Sequence, residues 1–231
     1  MQMKNSSFII IIIIGVVLGF AIKWLAFEAF TIPTESMEPT ILKGDVVWIN
    51  KMTFSNFNKN DIVAFEKNKE NFIKRIVAIP MDSIYSIVKD ESNEENNNSN
   101  TQGKYHIFDP NKILPFNKNY TFYKIPQKGE TITFDKTNFD FYQPLIEIQE
   151  GVQAGRLFDK IFINASESNS YTFKQNYYFV QGDNTEGSVD SRHWGLVAQS
   201  QLIGKSIYIQ RKNKNQPNNI LNLDSRGVTR L

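Results

Sequence analysis

The chain opens on an unbroken apolar run, FIIIIIIGVVLGFAI from Phe8 to Ile22, and WLAF carries it on to Phe27 with only Lys23 intervening. At 1.5 Å per residue, a helix from Phe8 to Phe27 is about 30 Å long, the thickness of a bilayer's hydrocarbon core. Lys23 lies near one end of it, where its stem carries the ammonium to the headgroups, and Trp24 suits the same interface. The pattern predicts a membrane anchor over residues 1–27. The alternative is a cleaved signal peptide, which the length of the run and the lack of a small-x-small site after it disfavour.

Beyond Phe27 the pattern changes to short β-branched and aromatic runs separated by turns. They are DVVWIN (45–50), DIVAFE (61–66), FIKRIVAI (72–79), TITF (131–134), KIFIN (160–164), YYFVQ (177–181) and KSIYIQ (205–210). This spacing predicts a mainly β domain of antiparallel sheet over residues 28–212. One helix is expected from Asn138 to Glu150, where Phe141 or Tyr142, Leu145, Ile146 and Gln149 recur at helical intervals and Pro144 lies near the start. Two stretches are too polar to bury a core and are expected to lack structure: an insert over 90–103, with DESNEENNNSN at its head, and the tail 213–231.

Composition narrows the function. Of 231 residues, 41% are apolar, 22% charged and 13% aromatic, which is globular and speaks against a disordered, collagen-like or multi-span chain. With no cysteine and only two histidines, His106 and His193, there is neither a disulfide framework nor a Cys/His zinc site. A net charge of +2 offers no excess to hold a phosphate backbone, so nucleic acid is not an expected partner. The N-terminal amine and Lys4 against a single Lys23 give a slight preference for an inside N-terminus, which puts the β domain across the membrane from the cytoplasm.

Three stretches stand out from the β background. In TIPTESMEPTILKGD (31–45), Ser36 lies midway between Pro33 and Pro39, which stiffen an exposed turn; as a bare pattern, a simple turn is the favoured explanation. In FIKRIVAIP (72–80), period two puts Lys74 on one face with Phe72, Ile76 and Ala78, and Arg75 on the other with Ile73, Val77 and Ile79. One of the two cations must therefore meet apolar surroundings, unless this is an edge strand from which both reach solvent. Burial favours a neutral amine, and a neutral lysine can act as a base. In QGDNTEGSVDSRHWGLV (181–197), a polar loop follows a strand, with Asp190 and Arg192 spaced to pair with polar neighbours.

Together these residues resemble the bacterial type I signal peptidases (leader peptidases), membrane-bound serine proteases of the Ser/Lys class. The resemblance rests on four ordered boxes after an N-terminal anchor: PTESMEPT, GDVVWINK, KRIVAIP and GDNTEGSVDSRHWG. It implies a fold of the signal-peptidase and LexA type with Ser36 as nucleophile and Lys74 as general base. It further implies Thr34 and the Ser36 N–H as oxyanion donors, Ser188 as a hydrogen-bond partner of the lysine, and Asp190 and Arg192 as a bracing ion pair. The substrates implied are signal peptides of exported precursors, cut after small-x-small stretches such as Ala-x-Ala. Such an enzyme is a single-pass protein of the plasma (inner) membrane and a monomer, with the bilayer as its other partner and no metal or cofactor.

Three positions depart from the family's usual pattern. Thr185 replaces an arginine, Ala78 a glycine, and Met81 the glycine of a Gly-Asp pair completed here by Asp82. His193 is expected to be structural or a substrate-groove residue rather than a base, and Pro39 three residues after Ser36 rules out an SxxK acyl enzyme of the penicillin-binding type. Met37, with Phe27 and Phe30, either dips into the membrane interface or packs in the core. The competing function is that of a catalytically inactive, membrane-tethered relative that binds precursors.

Overall fold

The computed structural model describes residues 10–16, 19, 26–52, 57–88, 104–112, 114–115, 119–212 and 219–220. Residues 10–16 are helical with exposed apolar side chains, and no helix among the described residues is long and apolar enough to cross a membrane. Most of the expected anchor and all of the expected insert lie outside the described residues.

Four strands come first: β1 (Phe27–Thr31), β2 (Val46–Asn50), β3 (Ile62–Lys67) and β4 (Glu70–Ala78). A three-stranded group follows, β5 (Ser83–Val88), β6 (Tyr105–Ile107) and β7 (Asn119–Lys124). Next are β8 (Thr131–Thr133), the helix Phe139–Pro144 with the π-helical turn Leu145–Gln149, β9 (Ala154–Leu157), β10 (Lys160–Ile163), β11 (Ser166–Glu167) and β12 (Ser170–Thr172). The chain returns through β13 (Tyr177–Gln181), the short helix Ser191–Trp194, β14 (Val197–Ala198), β15 (Leu202–Gln210) and β16 (Asn219–Ile220).

The main sheet is antiparallel, in the order β1-β2-β15-β3-β4-β13-β14, with β16 beside β15. Its central strand β3 begins Ile-Val-Ala-Phe, all four buried, as a strand covered on both faces requires. β4 is paired on both sides, by β3 and β13, so the edge-strand alternative for Lys74 and Arg75 does not hold. All seven runs read from the sequence are strands. Phe27, expected as the last residue of the anchor, instead opens β1 opposite Asn50.

Three apolar clusters hold the strands. One lies under the Thr31–Asp45 loop and joins Ile32, Met37 and Ile41 to Val47, Ile49, Ile62, Ala64, Ile73 and Ile209. Met37 is therefore a core residue, 1% exposed, which decides against the membrane-interface alternative for it. A second gathers Phe57, Val63, Phe65, Ile76, Tyr178, Val180 and Val197. The third, rich in aromatics, packs the smaller sheets on the helix Phe139–Pro144.

The expected helix over Asn138–Glu150 forms in two parts. Pro144 has no N–H to donate and its ring crowds the preceding turn, and beyond it the ladder widens to an i to i+5 bond from the Glu150 N–H to the Leu145 carbonyl, 3.1 Å. The C-terminal tail, expected to be without structure, contributes β16 to the main sheet, Ile220 opposite Tyr208.

The turn after β4 accounts for one departure from the family pattern. The Asp82 N–H donates to the Ile79 carbonyl at 3.1 Å, with Pro80 and Met81 between them and Met81 at φ 79°. That is the backbone of a type II turn, whose third position favours glycine, and Met81 holds it with its side chain 53% exposed. A side chain in the left-handed region costs about 1–2 kcal/mol, and glycine's extra unfolded-state freedom returns about 0.5–1 of that. Met81→Gly should stabilise the fold by about 0.5–1 kcal/mol, read as a rise of about 2 °C in Tm by calorimetry; a fall in Tm would show that Met81 is not strained.

Candidate active site

The loop between β1 and β2 carries Ser36. Its base is closed where Thr31 faces Val46, by bonds from the Ile32 N–H to the Asp45 carbonyl (2.9 Å) and from the Gly44 N–H to the Ile32 carbonyl (2.7 Å). Ile32, Met37 and Ile41 pin its inner side to the core, which leaves Thr34 exposed and Ser36 half-buried. The Thr34 and Ser36 hydroxyls are 3.1 Å apart and share a hydrogen bond. No hydrogen bond of the Ser36 N–H occurs among the described residues.

Lys74 reaches the same hydroxyl from β4. Its Nζ donates to Ser36 Oγ at 2.6 Å across 38 residues of sequence, and the residue is 4% exposed. Val63 stands opposite it on β3, and alternation puts it with Phe72 and Ile76, both packed with the second apolar cluster. Burial holds the Lys74 amine at about 8, well below an ordinary lysine; Asp190 and Asp183 pull it up against that burial, and Arg192 adds to the lowering. Near neutral pH a useful fraction of such an amine is unprotonated, with a lone pair to accept the Ser36 proton.

The loop after β13 braces both residues. Asp183 takes Arg75, the neighbour of Lys74, in a two-pronged pair at 2.8 and 2.7 Å. Asn184 holds the serine loop by its backbone, its N–H donating to the Ser36 carbonyl (3.1 Å) and its Nδ2 to the Glu35 carbonyl (3.1 Å). Asp190 is fully buried and accepts from the Gly182 N–H (2.9 Å), Ser188 Oγ (2.8 Å) and the Arg192 guanidinium (2.8 Å to each oxygen). Burial alone would raise its carboxyl, but the bonds from Arg192, Gly182 and Ser188 outweigh it and hold it below the ordinary range. The remaining Arg192 donors reach the carbonyls of Thr185 (2.8 Å) and Ser188 (3.2 Å).

The structure thus brings together Thr34, Ser36 and Lys74, and beside them Ser188, Asp190 and Arg192. The Ser188 hydroxyl, expected to bond the lysine, instead donates to Asp190, and no hydrogen bond between it and the Lys74 amine occurs among the described residues. His193 caps the helix Ser191–Trp194, its Nδ1 accepting the Asp190 N–H (3.3 Å). Asp183, Asn184 and Arg75 carry supporting roles that residue patterns alone did not reveal, though a carboxylate just past a strand end and an arginine beside the lysine were both in view. Gly182 is another. A Cβ there would lie 2.2 Å from Ser188 Oγ and 2.3 Å from the Ser36 carbonyl, so the loops close over it only because it has no side chain.

A buried lysine amine against a serine hydroxyl on an antiparallel β scaffold is an arrangement open to serine hydrolases that use lysine in place of histidine. The chain belongs to the signal peptidase, peptidase S26 family, whose model matches residues 5–210. Among its relatives, a signal peptidase I of Buchnera aphidicola subsp. Baizongia pistaciae (strain Bp) is 31% identical over 90% of this chain and 76% of that protein. Another, signal peptidase I of Aquifex aeolicus (strain VF5), is 29% identical over 81% of this chain and 77% of its own length. A crystal structure of a signal peptidase I from Enterococcus faecalis V583 is 18% identical, covering 66% of this chain and 98% of that one, with a TM-score of 0.26, too loose for a fold comparison.

Because Gly182 separates the two loops by less than a side chain's width, Gly182→Ala should lower turnover about 100-fold or more, as expected when reacting groups shift by about 1 Å. Steady-state kinetics on the folded variant checks this. Wild-type turnover would mean that the loops move apart freely.

Proposed function

We propose that this chain is an endopeptidase that removes N-terminal signal peptides from exported precursors, with Ser36 as nucleophile and Lys74 as general base. The observation that carries the reading is the 2.6 Å contact between Lys74 Nζ and Ser36 Oγ in a site where burial keeps the amine near 8.

The neutral Lys74 takes the Ser36 proton as Oγ bonds to the scissile carbonyl carbon. The carbonyl oxygen becomes an oxyanion, met by the Ser36 N–H and the Thr34 hydroxyl; donors of this kind contribute about 3–4 kcal/mol each. As the tetrahedral intermediate collapses, the C–N bond breaks and the Lys74 ammonium protonates the departing amine. A water, deprotonated by the again neutral lysine, then attacks the acyl carbon; as the ester C–O bond breaks, the Lys74 ammonium returns the proton to Ser36 Oγ and the acid product leaves. Asp190 serves this scheme through its tight pairing with Arg192, because an unpaired carboxylate beside Lys74 would hold the proton on the amine. Ser188 serves through Asp190, to which its hydroxyl donates at 2.8 Å.

The apolar run that begins at Phe8 supports an anchor in the plasma membrane, with the β domain, which opens at Phe27, outside the cytoplasm and the tail of 213–231 after it. Ser36 follows the run by nine residues, which brings it close to the surface where a precursor's cleavage site leaves the bilayer. The precursor enters as an extended strand and is cut after small residues such as Ala-x-Ala. The scheme needs no metal or cofactor, and a monomer suffices.

The test is cleavage of an Ala-x-Ala precursor by the full-length protein in detergent, with the new N-terminus sequenced. Ser36→Ala and Lys74→Ala should each lose at least about 10³-fold in kcat. In the wild type, kcat/KM should rise about tenfold per pH unit up to about 8 and then level off, because the ammonium form cannot accept a proton. Undiminished cutting by either variant removes that residue from the mechanism, and precursor binding without cleavage by the wild type would mark an inactive relative.

A further inference from the structure

The serine loop is held at its base by residues from the far end of the domain. Asp45, 2% exposed, is the last residue before β2. Its Oδ2 accepts the Leu42 N–H (3.0 Å), which fixes the loop's return, and also Arg211 Nη1 (2.6 Å). Its Oδ1 accepts the Lys212 N–H (3.0 Å). The Lys212 stem lies across Gly44, where a Cβ would be 2.6 Å from its Cδ and where φ is +91°. Arg211 and Lys212 directly follow β15, whose Ile209 packs in the same apolar cluster as Ile32, Met37 and Ile41 of the loop. The match to the family stops at residue 210, so these two residues lie just past it.

Resting on the reading of Ser36 as nucleophile, we infer that Arg211 and Lys212 form a latch that positions the Ser36 loop through Asp45. They are positioning residues, since the bonds that define the latch end on Asp45 and not on the reacting atoms. The physical argument is one of rigidity. The loop's apolar contacts fix its depth but slide easily, whereas a carboxylate that takes one guanidinium and two backbone N–H groups fixes position and orientation together. Two clasps then hold the nucleophile's loop, Asn184 on the Glu35 and Ser36 carbonyls and the Asp45 latch below. With the latch open, the loop stays in place on its apolar residues but wanders by fractions of an ångström, which affects turnover more than substrate binding.

The experiment compares the full-length chain with stops placed after Lys212 and after Gln210, and with Arg211→Ala and Arg211→Lys. All are assayed on an Ala-x-Ala precursor in detergent alongside Ser36→Ala. The stop after Lys212 should keep kcat within about twofold of the full chain, while the stop after Gln210 and Arg211→Ala should lower kcat about 10–100-fold with KM nearly unchanged. Arg211→Lys, which keeps the charge but loses the planar fork, should fall between. The acid limb of the pH profile should stay near 8 in all of them, because the latch does not touch Lys74. A cooperative unfolding transition in Arg211→Ala establishes that the variant is folded. Wild-type kcat in folded Arg211→Ala, or a loss seen only in KM, would overturn the latch, while full activity in Ser36→Ala would instead overturn the reading on which it rests.

Discussion

Everything in this site depends on withdrawing one amine from water. A lysine at the protein surface holds its proton far above neutral pH and cannot serve as a base; Lys74 is 4% exposed and lies near 8 because β3, β4 and β13 close around it. Burial of an ion also opposes folding, and the surroundings reflect that tension. Arg75 and Arg192 each have a carboxylate of their own, Asp183 and Asp190, at 2.7–2.8 Å. With both acids committed elsewhere, their attraction for the Lys74 proton is limited and desolvation prevails.

The same constraint explains why the supporting residues come from distant stretches of chain. The serine arrives on a loop between two edge-side strands, the lysine from a strand interior, and the braces from the loop after β13. Each is locally unremarkable in its preferences. What aligns them is the register of the sheet, in which Gln181 faces Arg75 and so sets the Gly182–Asn184 segment beside Ser36 and Lys74.

Much of this was legible in the chain. Period two in FIKRIVAI marked a strand whose two faces could not both be wet, and the pairing of β4 on both sides settles which way that conflict resolves. Ser36 was visible as a serine between two prolines, and Lys74 as a cation among apolar neighbours. The roles of Asp183, Asn184, Gly182 and Asp45 were not legible, because each depends on a contact made across 100 or more residues or on the lack of a side chain, and neither leaves a periodic trace. Ser188 shows another limit. A motif can carry a hydroxyl to the right place, yet which neighbour receives its proton is decided by the nearest carboxylate, here Asp190 at 2.8 Å. Local rules failed likewise after Pro144, where the apolar spacing of a helix was present but the hydrogen-bond ladder widens to a π-helical turn over Leu145–Gln149.

The central claim is that the fold itself, before any substrate arrives, lowers the Lys74 amine. Nuclear magnetic resonance of the full-length protein in detergent, labelled with 13C and 15N in lysine and with the Lys74 signal identified by its loss in Lys74→Ala, measures that directly. The account predicts a titration midpoint near 8. A midpoint near the ordinary lysine value of about 10.4 would contradict it.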